Sequence, residues 1–128
     1  IKDFSKAIDY TPQDPEKYIS RGAVFVATRN YKKAIEDYNQ AIILSPKFVK
    51  AYYFRGLAYS EIGNYKQSIE DYDKAIEIDP SNAPAYHGRG FAFLKLGYQQ
   101  QALNDFKIAA RLGEKDVQDF LREKGIQW

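Results

Sequence analysis

One interval constrains this chain more than any other property, and it is 34 residues long. Pro12, Pro46 and Pro80 are separated by it, as are Tyr18, Tyr52 and Tyr86, and the pairs Arg21-Gly22, Arg55-Gly56 and Arg89-Gly90. Phe25, Tyr59 and Phe93 keep the same spacing, as do Tyr38, Tyr72 and Phe106, and Ala41, Ala75 and Ala109. Chance does not produce parallel series at one period. A period of roughly 20–50 residues marks a chain built from stacked structural units, none of which can bury its apolar face alone.

Each period reads as two helices. In the second, Tyr52, Gly56 and Tyr59 stand at i, i+4 and i+7, which is one face of a helix. Gly63-Asn64 interrupts the pattern; Ile69, Tyr72, Ala75 and Ile76 resume it; Asp79-Pro80-Ser81-Asn82 ends it, because the residue before a proline disfavours helical angles. No segment alternates with period two, so the fold expected is all-α. The spacing predicts helices over 1–11, 15–28, 31–44, 49–62, 65–78, 83–96, 99–112 and 115–124. Gly22, Gly56 and Gly90 fall in helix interiors, where glycine costs about 1 kcal/mol relative to alanine. Three such glycines in register imply that a ring from the partner helix occupies the vacant space. Ala34, Ser68 and Ala102 hold the matching small position on the second helices. That interdigitation also accounts for a 16% aromatic content.

The pattern resembles the tetratricopeptide repeat (TPR) family, whose signature of about 34 residues runs W-x2-L-G-x2-Y, A-x3-F and P. Here it reads Tyr52-x2-Arg55-Gly56-x2-Tyr59, Ser68-x3-Tyr72 and Pro80. The resemblance implies a right-handed α-α superhelix with full repeats at 15–48, 49–82 and 83–116. Residues 1–14, with Phe4, Ala7, Ile8 and Pro12 in phase, read as the second helix of a truncated preceding repeat, and residues 117–128 as a capping helix and tail. Three departures stand out. Arg21, Arg55 and Arg89 replace the usual leucine, Arg29 stands where other repeats have Gly63 and Gly97, and Glu114 replaces the closing proline.

Composition narrows the function. With 45% apolar and 28% charged residues the chain is globular. It has no cysteine, which excludes a disulfide framework and thiolate metal sites. The 19 basic and 17 acidic residues are interspersed, so no basic face for nucleic acid is expected. No apolar run approaches the roughly 20 residues of a membrane span, and residues 116–124 are too mixed in charge for a membrane-surface helix. His87 is the only histidine, and both catalysis and metal ligation need partners that the chain does not supply nearby in sequence. Glu36-Asp37, Glu70-Asp71 and Glu77-x-Asp79 belong to the repeat surface, and Gly88-Arg89-Gly90 lies within a helix rather than in a phosphate loop. The expectation is no enzyme, no cofactor and no metal, with neither nucleic acid nor membrane as partner. Nothing in the residues fixes the compartment.

Each first helix carries a second apolar stripe, one residue from the core stripe and so about 100° around the helix. It comprises Ile19, Ala23 and Val26; Tyr53, Leu57 and Ser60; and His87, Phe91 and Leu94. By the resemblance, first helices line the concave surface, and the stripe becomes a groove. Phe54 and Ser20 flank it, and Lys50 and Lys95 stand at its rim. Tyr53, Phe54, Leu57 and Phe91 are its expected centre, unless neighbouring repeats bury the stripe. Some TPR domains hold a partner's C-terminal carboxylate with Lys, Asn and Arg. The matching positions here, Ile19, Ala23, Phe54, Pro84 and Gly88, carry none of these. The function expected is a protein-binding scaffold whose groove takes an apolar peptide or amphipathic helix. The alternative is a structural module that stacks on further repeats or protomers, with self-association through the half repeat at the N-terminus.

Two further expectations are structural. Asp3, Asp37, Asp71 and Asp105 recur at 34, each 16 residues after one of the arginines or 18 before one, which points to an Arg–Asp ladder within or between repeats. On that reading Arg55→Leu is tolerated and Asp71→Leu is costly. At the C-terminus, Val117, Phe120, Leu121 and Trp128 form an apolar capping side, and Gly125 suits a left-handed helix stop that returns Ile126 to Leu121.

Overall fold

A computed structural model of the protein describes residues 13–128. The helix expected over 1–11, with Asp3, lies outside the described residues. Among those described there are seven helices and no strand: α1 (Pro15–Ala27), α2 (Tyr31–Leu44), α3 (Val49–Glu61), α4 (Tyr65–Ile78), α5 (Ala83–Lys95), α6 (Gln99–Arg111) and α7 (Lys115–Glu123). Local chemistry sets the ends. Asp14, Asn30, Asn64 and Asn82 cap α1, α2, α4 and α5 by accepting backbone N–H bonds with their side chains. Pro15 and Pro84 sit in first turns, where a missing N–H costs nothing. The connection inside each repeat turns through the left-handed region, with φ of 81° at Gly63 and 86° at Gly97. Arg29 holds the same conformation at φ 61°, against the steric preference of a residue with a Cβ.

The helices stack in register. α1 packs on α2, α3 on α4 and α5 on α6; α2–α3, α4–α5 and α6–α7 form the seams between units. The first helices also touch each other, α1 with α3 and α3 with α5. The mid-helix glycines face rings. A Cβ on Gly56 would lie 2.9 Å from Tyr72 Cε1 and one on Gly90 2.7 Å from Phe106 Cε1, while one on Gly22 would overlap Tyr38. The Ser68 hydroxyl, fully buried, donates to the Gly56 carbonyl at 2.8 Å and so needs no water.

These buried rings make stability depend on alkaline pH. Burial, and secondarily the Asp37 carboxylate, pushes the Tyr38 hydroxyl up from 10.0 to about 12, and burial moves Tyr72 the same way. The folded state therefore keeps a proton that the unfolded state has lost. The stability this represents is full below pH 10.0 and disappears as pH rises from there through about 12. Melting temperature measured from pH 9 to 12 should fall once pH passes 10, and less steeply for Tyr38→Phe; a flat profile in the wild type would contradict the burial of these phenols.

The arginines form a ladder. Arg21 Nε and Nη2 donate to Asp37 at 3.0 and 2.7 Å, those of Arg55 to Asp71 at 2.9 and 2.6 Å, and those of Arg89 to Asp105 at 2.8 Å each. Of the two spacings in the sequence, only the carboxylate 16 residues after the arginine is engaged in these forks. The cross-seam partners are residues the spacing did not single out: Arg55 Nη1 donates to Asn39 at 2.8 Å and Arg89 Nη1 to Asp73 at 2.9 Å. Each guanidinium also lies over a first-helix tyrosine, Arg55 at 5.8 Å from the Tyr52 ring centre.

α7 closes the last unit. Val117 and Leu121 are buried in one cluster with Ala102, Phe106, Ala109 and Ala110. Gly125, at φ 71°, turns the chain so that Ile126 N–H donates to the Leu121 carbonyl at 2.9 Å. Ile126 and Trp128 then pack on the same cluster, with Arg122 over the indole. Phe120 departs from the capping role expected of it. It is 42% exposed, and it meets α6 only through an edge contact of its ring with Phe106, centroids 5.9 Å apart, while its outer side turns to the first-helix face.

Candidate functional site

The face made by the first helices holds two adjoining clefts. The first, of about 250 Å³, lies between α3 and α5; α3 supplies Tyr53, Leu57, Ser60 and Glu61, α4 supplies Tyr72, and α5 supplies Pro84, His87, Gly88 and Phe91. The second, of about 230 Å³, lies between α5 and α7; His87, Phe91 and Leu94 face Phe106, Asp116, Val117 and Phe120 across it. His87 and Phe91 line both, so the two read as one groove across α3, α5 and α7.

The first cleft exists because of one difference between repeats. Phe54 and Gly88 share a register. At the first seam the Phe54 ring stacks on Tyr38, with centroids 6.1 Å apart, and covers it. At the second seam Gly88 has no side chain, and a Cβ there would lie 2.5 Å from Tyr72 Cζ and 2.8 Å from its hydroxyl. The equivalent tyrosine is left with its outer end at the floor of a cleft.

Carboxylates and hydroxyls surround that floor. His87 Nδ1 lies 3.2 Å from Glu114 Oε1. Burial first, and then the Glu114 carboxylate, raises the Tyr53 hydroxyl above 10.0. Tyr72 is raised by burial first, then by Tyr53, Asp71 and Glu61. No lysine or arginine lines either cleft. Lys95 stands at the rim with its ammonium 5.3 Å from the Phe91 ring centre, and Lys50 is drawn away to Glu16 at 3.5 Å.

The structure brings Tyr53, Leu57, His87, Phe91 and Leu94 together, with Leu57, Phe91 and Leu94 exposed. It separates others from them. Ile19 is a correction: only 7% of it is exposed, because it belongs to the first core cluster, which the next repeat closes with Ala51, Ala58 and Phe54. Val26 is half-buried against that cluster, and Phe54 is committed to Tyr38 rather than to the groove. Ser20 is exposed and lines neither cleft. Glu61, Tyr72, Asp116 and Phe120 were missed as groove residues, and Glu114 as the partner of His87 beside them. Two of the signals were visible: Gly88 is a glycine outside the Gly22, Gly56, Gly90 series, and Glu114 breaks the proline series. Among the described residues no group of three or more His, Cys, Asp or Glu gathers as a metal ion would require. No described helix is long and apolar enough to cross a membrane.

A family model described as TPR repeat matches residues 25–63 and 56–97. Among solved structures, the chain is similar to the crystal structure of MamA, with 29% identity and a TM-score of 0.83 over 91% of this chain and 68% of that one. It is similar to the second TPR domain of Spaghetti (RPAP3) bound to the HSP90 peptide SRMEEVD, with 29% identity and a TM-score of 0.76 over 84% of this chain and 98% of the other. A third likeness is to YrrB, a TPR protein with an unusual peptide-binding site, with 26% identity and a TM-score of 0.80 over 88% of this chain and 58% of that one. No curated protein matches the sequence.

Proposed function

The chain belongs to the tetratricopeptide repeat family, and from that premise we propose that the groove across α3, α5 and α7 docks an apolar peptide or amphipathic helix of another protein. The fold is that of a protein–protein interaction scaffold. The observation that carries the finer reading is the exposed apolar set Leu57, Phe91, Leu94 and Phe120, contiguous along the rims of two clefts. An aromatic patch of this kind over a recess is the usual anchor point for a partner. Its side chains also change from repeat to repeat, Ala23, Leu57 and Phe91 sharing one register, whereas packing positions stay nearly constant.

Charge shapes the ligand class. The peptide SRMEEVD bound by the Spaghetti domain carries three acidic residues in seven. The groove here presents Glu61 and Asp116 and is lined by no lysine or arginine, so an acidic segment of that kind is disfavoured.

The test is selection of peptides from a random display library on the immobilised protein, followed by affinity measurement on Leu57→Ala/Phe91→Ala. Both residues are exposed, so folding stability should stay within the small range of surface substitutions, about ±0.5 kcal/mol each. Binding should weaken by roughly thirtyfold or more, the loss of a central anchor. Tyr53 is the wrong probe, since its ring packs on Phe54 and Tyr72 at centroid distances of 5.4 and 6.0 Å. Unchanged affinity in the folded double variant would place the site elsewhere.

A further inference from the structure

We infer that the cleft at Gly88 receives a lysine or arginine side chain of the docked partner, an inference that rests on the docking groove proposed above. Its floor is a tyrosine hydroxyl that no described protein group bonds. Tyr72 is 1% exposed, and its hydroxyl has no hydrogen-bond partner among the described residues. Yet no described polar side-chain atom is both sealed from solvent and unpaired, so this hydroxyl opens on the cleft that Tyr72 and Gly88 line together. It can accept one hydrogen bond from an occupant.

Carboxylates lie around it, and no lysine or arginine lines the cleft. Glu61 lines the cleft and forms no ion pair among the described residues. Glu114 lies beyond His87 and is near enough to Tyr53 to act on its hydroxyl. The walls suit the rest of a long basic side chain. Leu57, Pro84 and Phe91 offer apolar surface to a methylene stem, and the Tyr53 and Tyr72 rings offer π-faces to a cation. The competing occupants fit worse. A purely apolar side chain would cut the Tyr72 hydroxyl off from water and give it no partner. A carboxylate would face Glu61 across a partly desolvated space.

The experiment uses peptides selected from a random dodecapeptide library on the wild-type protein, each resynthesised with its basic residue replaced by norleucine. Titration calorimetry is run on wild type, Glu61→Gln and Tyr72→Phe; the first variant alters an exposed residue and the second keeps the buried ring. Selected peptides should carry Lys or Arg at a constant distance from their apolar anchors. The norleucine change should weaken wild-type binding roughly tenfold, as expected for a lost charge-assisted hydrogen bond. It should weaken binding to Glu61→Gln and Tyr72→Phe by distinctly less, because those variants have already lost part of the interaction. Peptides without a preferred basic residue that still depend on Leu57 and Phe91 would overturn this inference and leave the docking groove standing. So would a norleucine penalty equal in all three proteins. Peptides indifferent to Leu57→Ala/Phe91→Ala would overturn the docking groove itself.

Discussion

Replacing Arg55 by leucine, the family's usual residue at that position, is expected to destabilise the protein by about 3–5 kcal/mol. The spacing alone suggested that this change would be tolerated, and the burial of its partner reverses the expectation. The Asp71 side chain is 5% exposed, and both of its oxygens are held by Arg55, at 2.6 and 2.9 Å. Burial penalises the charged carboxylate and keeps its pKa above the ordinary value, and the Arg55 hydrogen bonds and charge offset only part of that penalty. Without the guanidinium, Asp71 keeps an uncompensated charge in the α3–α4 interface or takes up a proton, and either raises the energy of the fold. Asp71→Leu should cost less, because Arg55 retains its bond to Asn39 at 2.8 Å and its side chain is 22% exposed. The double variant Arg55→Leu/Asp71→Leu should recover most of the loss, since an apolar pair of similar volume often replaces a buried ion pair without penalty. Urea unfolding of the three variants measures this directly. An Arg55→Leu protein as stable as wild type would show that the forks are decoration on a fold held by packing alone.

Deleting residues 115–128 is the second large effect, and the expected result is aggregation. Val117 and Leu121 are 3% and 0% exposed, and with them go Ile126 and Trp128 from the outer surface of the last cluster. Phe106, Ala109 and Ala110 would then face water as a bare unit end, which in stacked-repeat proteins must be covered for solubility. Burying two aliphatic side chains of this size contributes about 1.5–3 kcal/mol each, so the melting temperature should drop by on the order of 10 °C or more. Light scattering and thermal unfolding of the truncated chain test both parts. A monomeric truncation with an unchanged melting temperature would mean that α7 is a tail. Loss of α7 would also remove Asp116 and Phe120 from the groove, so peptide binding should weaken in any truncated protein that stays folded.

Much of the fold was readable because helical geometry is local. A residue at i fixes which face i+4 and i+7 share, so the series at 34 residues placed seven described helices with ends within one residue of those observed. The same logic exposed the glycines. Three of them in mid-helix have no conformational use there, so they had to be spaces, and Tyr38, Tyr72 and Phe106 fill them. The arginine and aspartate series announced a ladder, but two offsets were equally compatible with it. Only the antiparallel approach of α3 and α4 decided that Arg55 reaches the carboxylate 16 residues on.

What the sequence by itself determined, then, is whatever one repeat repeats: the helix pairs, their core faces, the glycine–ring contacts and the terminal cap around Val117 and Leu121. What only the tertiary structure decided lies where one repeat meets the next. Ile19 is buried by α3 although it belongs to the same stripe as exposed Leu57 and Phe91. Phe54 stacks on Tyr38, while Gly88, in the same register, leaves a cleft whose floor Tyr72 lines. His87 meets Glu114, 27 residues away. Spacing along a helix specifies an angle around that helix, but it carries no information on how far the neighbouring repeat is rotated and shifted against it. That offset is set by the side chains that collide at the seam, and the groove is the space they leave.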